Sequence, residues 1–109
     1  MTGTTIPVFT IPWPRLDLAR VAALKDAVRP LTVEGQDGLI IDMSGVDFLD
    51  SSGLGALVSL SRQLGGRGRV ALSGVREPVL SLLTMSRMDQ VFVLASNVQA
   101  ARKVLGEKS

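Results

Sequence analysis

The segment FLDSSGLG, residues 48–55, sets Asp50, Ser51 and Ser52 in a row ahead of Gly53, Leu54 and Gly55. Two hydroxyls beside a carboxylate can do two things. Ser51 or Ser52 can accept a hydrogen bond from the orphan N–H groups of a helix's first turn, contributing about 1 kcal/mol. Either hydroxyl can also accept a phosphoryl group, which adds about −1.5 to −2 charges. Gly53 and Gly55 leave the backbone uncovered there, and an exposed helix N-terminus favours negative charge by roughly 0.3–1 kcal/mol. One reading is therefore a capped helix with glycines for close packing. The other is a charge switch. Asp47 and Asp50 already stand nearby, and Leu49 and Leu54 make the flanks apolar. A phosphate would leave the fold intact while spoiling the surface for an apolar or acidic partner.

Composition removes several alternatives. The chain of 109 residues has no His, Cys or Tyr. Disulfides, thiolate metal sites, Ser-His-Asp and Cys-His catalysis and the commonest zinc ligands are thereby absent. No base stands near Ser51 to activate it as a hydrolytic nucleophile, so a non-enzyme without cofactor or metal is expected. The net charge is only +2. The pI of 9.7 is high because little titrates between the carboxylates and the lysines, and it gives no ground for a nucleic-acid partner. No apolar run approaches the roughly 20 residues that span a bilayer, so no membrane insertion is expected. MTGTTIPVF has neither the cationic nor the apolar segment of a signal peptide, and a cytoplasmic location is expected.

The elements that must position FLDSSGLG follow from periodicity. One domain is expected over residues 1–109, with residues 1–7 loose. Val8–Ile11 reads as a short strand, and Leu18, Val21, Leu24 and Val28 as the apolar stripe of a helix ending near Arg29, before Pro30. Gly35–Gly38 is a turn cluster, and Leu39–Met43 is apolar enough for a central strand. A helix runs from about Ser52 to Leu64, with Leu54, Leu57, Val58 and Leu64 on one face, until Gly65–Gly68 breaks it. Arg69–Ser73 is the next strand, and Pro78 opens a third helix that buries Val79, Leu80, Leu82 and Leu83. Val91–Leu94 is a fourth strand, and Ser96–Gln99 is a capping-box pattern opening a last helix striped by Val98, Ala101, Val104 and Leu105. The fold class is thus α/β: about four βα units, a mostly parallel central sheet and helices packed against it. In such sheets functional residues gather beyond the carboxyl ends of the strands, where FLDSSGLG lies.

IIDMSGVDFLDSSGLGALVSL resembles the signature of the STAS domain, in particular that of the bacterial anti-sigma factor antagonists. The likeness continues through VALSGVREPVLSLLTMSRMDQVFVL and reaches back to LDLARVAALKDAV, covering about residues 8–105. The resemblance implies partner switching. An unphosphorylated antagonist captures an anti-sigma factor that is also an ATP-dependent serine kinase, and frees a sigma factor. The kinase phosphorylates the antagonist and releases itself, and a metal-dependent serine phosphatase resets it. The family's acceptor, the first Ser after the Asp, falls on Ser51. Ser52 is then the cap or a backbone contact. Asp17 matches an acidic position before the family's first helix and becomes either a partner contact or that helix's cap. Met85 falls in a turn that lines the family's contact surface, with core filling as its alternative, while Met88 is read as core. The implied partner surface is Asp17, Leu49, Asp50, Ser52, Gly53, Leu54 and Met85, on a monomer or weak dimer. Two departures bear on partner identity. The family's extra N-terminal strand has only MTGTTIP to form it, and its Gly-Glu-Leu-Asp turn is here Pro14-Arg15-Leu16-Asp17.

Other candidates read as structural. Arg67 and Arg69 in GGRGR fit a solvated turn better than a phosphate site. Asp42 ends a strand as a receiver phosphoacceptor would, but VFTIP supplies no acids and VFVLAS no Lys. SSGLG is not a P-loop, and no Lys follows it. The alternative function is a STAS subunit of a membrane-associated transport ATPase, using the same apolar surface permanently and without phosphorylation.

Overall fold

The computed structural model describes residues 6–32, 36–64 and 69–106. The chain runs β1 (Val8–Thr10), β2 (Arg15–Leu16), α1 (Leu18–Val28), β3 (Gly38–Asp42), β4 (Phe48–Leu49), α2 (Ser51–Gln63), β5 (Arg69–Ser73), α3 (Val79–Met85), β6 (Val93–Ala95) and α4 (Val98–Val104). Single 3-10 turns at Arg29–Leu31 and Met88–Gln90 follow α1 and α3. Strands β1, β3, β5 and β6 form one parallel sheet in that spatial order. The expected α/β architecture is present, with sheet order following chain order.

Strand alternation divides the core into two layers. Leu39 and Ile41 of β3 and Val70 and Leu72 of β5 face a cluster with Leu24 and Val28 of α1, Leu57 and Leu60 of α2 and Leu83 of α3. Ile40 and Ala71 face the opposite side, where Ala101 and Leu105 close a second cluster. Helices α1, α2 and α3 therefore cover one face, and α4 covers the other. Both faces of β3 and β5 are dry, which is why those strands read as unbroken apolar runs.

Several boundaries differ from the sequence reading, each for a local reason. Ile6 is buried in the second cluster, and the Pro7 carbonyl accepts from the Ile40 N–H at 3.0 Å, so the order begins before residue 8. Residues 1–5, Gly35 and Gly65–Gly68 lie outside the described residues. Among those described, β1 pairs only with β3. β6 starts at Val93, not Val91, because Val91 closes the 3-10 turn and is exposed, while Phe92 drops into the core. Asn97, not Ser96, caps α4: its Oδ1 accepts from the Ala100 N–H at 2.8 Å. Pro78 precedes α3 as its N-cap, and Leu80 and Leu82 of that helix are only partly buried. Leu18 and Val104 are exposed, although periodicity places both on apolar stripes.

Candidate functional site

A second, two-stranded parallel sheet builds the site. β2 and β4 pair with Arg15 beside Phe48 and Leu16 beside Leu49. Each is only two residues long, and each feeds directly into a helix. Asp17 is the N-cap residue of α1 and Asp50 that of α2. The register therefore sets Asp17 next to Asp50, with two helix N-termini opening side by side. Leu16 and Leu49 are buried beneath. Alternation leaves Arg15, Asp17, Phe48 and Asp50 on the outer side.

The three residues at the helix mouth have distinct roles. The Asp50 carboxylate accepts from the Gly53 N–H at 2.9 Å, so Asp50 is the cap expected of Ser51 or Ser52. A carboxylate at that place also complements the helix dipole. Ser51, the first helical residue, is exposed, and its hydroxyl has no hydrogen-bond partner among the described residues. Ser52 is half-buried and equally free of side-chain hydrogen bonds, which corrects its assignment as cap or backbone contact. Gly53 is buried because α2 rests on β2: a Cβ there would overlap the Leu16 carbonyl and meet Leu49 Cδ1. Leu49 and Gly53, expected on a contact surface, are buried beneath the helix mouth. Replacing Asp50 with Ala removes the cap and should lower stability by about 1 kcal/mol. Urea unfolding checks this, through a lower midpoint at unchanged slope.

Asp17 does not cap α1 with its side chain. Its Oδ2 lies 3.6 Å from Arg15 Nε, and the Arg15 guanidinium stacks over the Phe48 ring at 3.9 Å. The capping alternative for Asp17 is thus set aside, and its carboxylate stays at the surface. On α1, Arg20 sits over Trp13 at 5.3 Å. Apolar side chains accompany these charges. Leu54 is partly buried in the first turn of α2, and α3 packs against β4. Met85, the last residue of α3, is 83% exposed, and Leu18, the first of α1, is 72% exposed. Met88 packs partly buried against the main core. An unpolarised exposed Met is thus present at residue 85, and Leu18 joins it as an apolar residue that sequence periodicity assigned to the interior.

Comparison with known proteins reaches the same segment. The family model for the STAS domain matches residues 2–101. The chain belongs to the STAS domain family. The anti-sigma-F factor antagonist RsfB of Mycobacterium tuberculosis is 31% identical over 80 residues, covering 71% of this chain and 66% of the relative. The chain thus spans just under two thirds of that relative's length. An anti-sigma-factor antagonist (STAS) domain protein from Planctomyces limnophilus has the same fold, with a TM-score of 0.81 at 24% identity over 90% of this chain and 88% of the other. A sulfate transporter family protein from Wolinella succinogenes superposes with a TM-score of 0.75 at 20% identity over 94% and 88% of the two chains.

Two other polar candidates of this STAS domain make structural contacts. Asp42 Oδ1 accepts from the Ser44 N–H at 3.1 Å and lies 3.5 Å from Ser73 Oγ, fixing the turn after β3. Arg69 donates through Nη2 to the Val104 carbonyl at 2.8 Å and so ties β5 to the end of α4; Arg67 lies outside the described residues. Among the described residues no cluster of His, Cys, Asp or Glu could hold a metal ion, and no helix is long and apolar enough to cross a membrane.

Sequence reasoning missed Arg15, Phe48 and the capping role of Asp50. Asp and Ser are near-equal N-caps, so D-S-S alone does not choose between them. A signal for Arg15 was present in the period-two alternation of Arg15-Leu16-Asp17 against Phe48-Leu49-Asp50, polar or aromatic on one side and Leu on the other.

Proposed function

We propose that this STAS domain is an anti-sigma factor antagonist that docks its partner through the mouth of α2 and is released by phosphorylation of Ser51. One observation carries this reading: Asp50 does the capping, so the exposed Ser51 hydroxyl is free of any structural task. The similarity to an anti-sigma-F factor antagonist supports the role. The partner is an anti-sigma factor with serine kinase activity, and a metal-dependent serine phosphatase resets the switch. The domain itself is a binding module and not a catalyst.

The docking surface combines Asp17, Asp50 and Ser51 with the apolar Leu54, Leu18 and Met85. Leu49 and Gly53 hold it in place from below, and Ser52 lies at its margin. In the modification step Ser51 Oγ attacks the γ-phosphorus of ATP held by the kinase. The bond from that phosphorus to the β,γ-bridging oxygen breaks, ADP leaves, and the hydroxyl proton passes to a base of the kinase. The product carries about two negative charges where Asp17 and Asp50 already stand. The helix dipole keeps this tolerable within the chain. A partner surface matched to an apolar, mildly acidic patch no longer fits it.

The test is incubation with the cognate serine kinase and ATP, followed by mass measurement and site mapping. One phosphate on Ser51, absent from Ser51→Ala and present on Ser52→Ala, is the expected result. A chain that stays unmodified while binding its partner permanently would replace the switch with the fixed-subunit reading.

A further inference from the structure

We propose that Arg15 is the internal receptor for the Ser51 phosphate: on phosphorylation its guanidinium leaves Asp17 and pairs with the new dianion. The inference rests on Ser51 being the acceptor and adds a residue that switches with it.

Four observations place Arg15 for this. It belongs to β2, whose next residue, Leu16, lies against the first turn of α2: the Leu16 carbonyl accepts from the Asp50 N–H at 3.4 Å and would collide with any Cβ on Gly53. Arg15 shares the outer side of the small sheet with Asp17, Phe48 and Asp50, and Ser51, exposed, follows Asp50 in the chain as the first residue of α2. The Arg15 side chain already extends along its strand toward the helix mouths, since its Nε reaches to 3.6 Å from Asp17 Oδ2. Finally, the Phe48 ring supports the plane of the guanidinium at 3.9 Å without using its N–H groups.

The present pairing is easily displaced. At 3.6 Å it is longer than a charge-assisted hydrogen bond, and the Arg15 side chain is 59% exposed. Exposed pairs of that kind are weak. A phosphate offers three strong acceptor oxygens and nearly twice the charge, and arginine's fork binds it in a bidentate manner. Asp17 and Asp50 repel the phosphate, and Arg15 is a cation on their side of the small sheet. Arg20, in the first turn of α1, lies over the Trp13 ring at 5.3 Å. Moving Arg15 to the phosphate also strips Asp17 of its counter-ion. The surface then changes at two places, residue 51 and residue 17, for one covalent event.

The test uses the full chain with phosphoserine installed at residue 51 by genetic encoding, so it does not depend on any kinase. Failure of a kinase to modify Ser51 and failure of Arg15 to hold the phosphate therefore appear in separate experiments. The second ionisation of the phosphate is followed by phosphorus NMR at low ionic strength, in the parent chain and in Arg15→Gln. An opposite charge close to the phosphate favours the dianion. The expected midpoint lies about one unit lower in the parent than in Arg15→Gln, the gap shrinking as salt is added. Arg15→Lys, which keeps the charge and loses the fork, is expected between them. Amide spectra of the unphosphorylated variants verify the fold. Coincident midpoints in the parent and Arg15→Gln would overturn the proposal, as would a low midpoint that persists in Arg15→Gln, which would assign it to the helix terminus alone.

Discussion

Gly53→Ala is expected to destabilise the domain by about 1–3 kcal/mol, the usual range for forcing extra volume into a packed interior. Intrinsic helix propensity points the other way, because Ala is better than Gly by about 1 kcal/mol within a helix. The steric term wins because the added Cβ meets main chain. The Leu16 carbonyl belongs to β2, which is pinned to β4 and buried below, and it cannot rotate aside as a flexible side chain would. Gly55 supplies the contrast. It is exposed, and a Cβ there meets nothing within 4 Å. Gly55→Ala is therefore expected to stabilise by roughly 0.5–1 kcal/mol. Two glycines two residues apart should thus give shifts of opposite sign in thermal or urea unfolding. Equal effects would mean that α2 does not rest on the small sheet. The position of Ser51 depends on that seat, so Gly53→Ala should also weaken partner capture, whereas Gly55→Ala should not alter the helix seat.

The second large effect is functional. Ser51→Asp is expected to leave far-ultraviolet circular dichroism and the melting temperature nearly unchanged while weakening partner capture at least tenfold, about 1.4 kcal/mol. The scaffold tolerates the change because Ser51 is exposed, its hydroxyl holds no hydrogen bond among the described residues and it stands at the positive end of a helix. Capture suffers because the added charge joins Asp17 and Asp50 on a surface that also presents Leu54 and Leu18. Collapse of the fold in Ser51→Asp would show that residue 51 is structural. Unchanged capture would place the docking surface elsewhere.

The parts of the fold buried on both sides were legible in the sequence. β3 and β5 appear as runs of Val, Leu and Ile because α1–α3 lie on one face and α4 on the other. The helices showed through their three- and four-residue steps, with boundaries off by one residue where two capping residues compete, as at Ser96-Asn97. The small sheet was not legible. Strands of two residues carry too little alternation to separate from a turn, and Pro14-Arg15-Leu16-Asp17 has the composition of one. What makes Arg15-Leu16 a strand is its distant partner, Phe48-Leu49. Leu18 failed for a different reason. Helical periodicity reports which side a residue takes, but not whether a neighbouring layer extends far enough to cover it. Leu18 is the first residue of α1, one turn ahead of the positions that pack inward. Met85, at the last turn of α3, is exposed at the corresponding extremity. Both residues stand at helix ends, where coverage runs out and a partner can reach.

The measurement that bears most directly on the switch is the dissociation constant of the chain for the proposed anti-sigma factor kinase, unmodified and with one phosphate on Ser51, at fixed salt and with ADP present. Melting of the two forms is recorded alongside. At least a tenfold rise in the constant, with melting temperatures that coincide, is the predicted result. Equal constants for the two forms, or a phosphorylated chain that no longer folds, would contradict it.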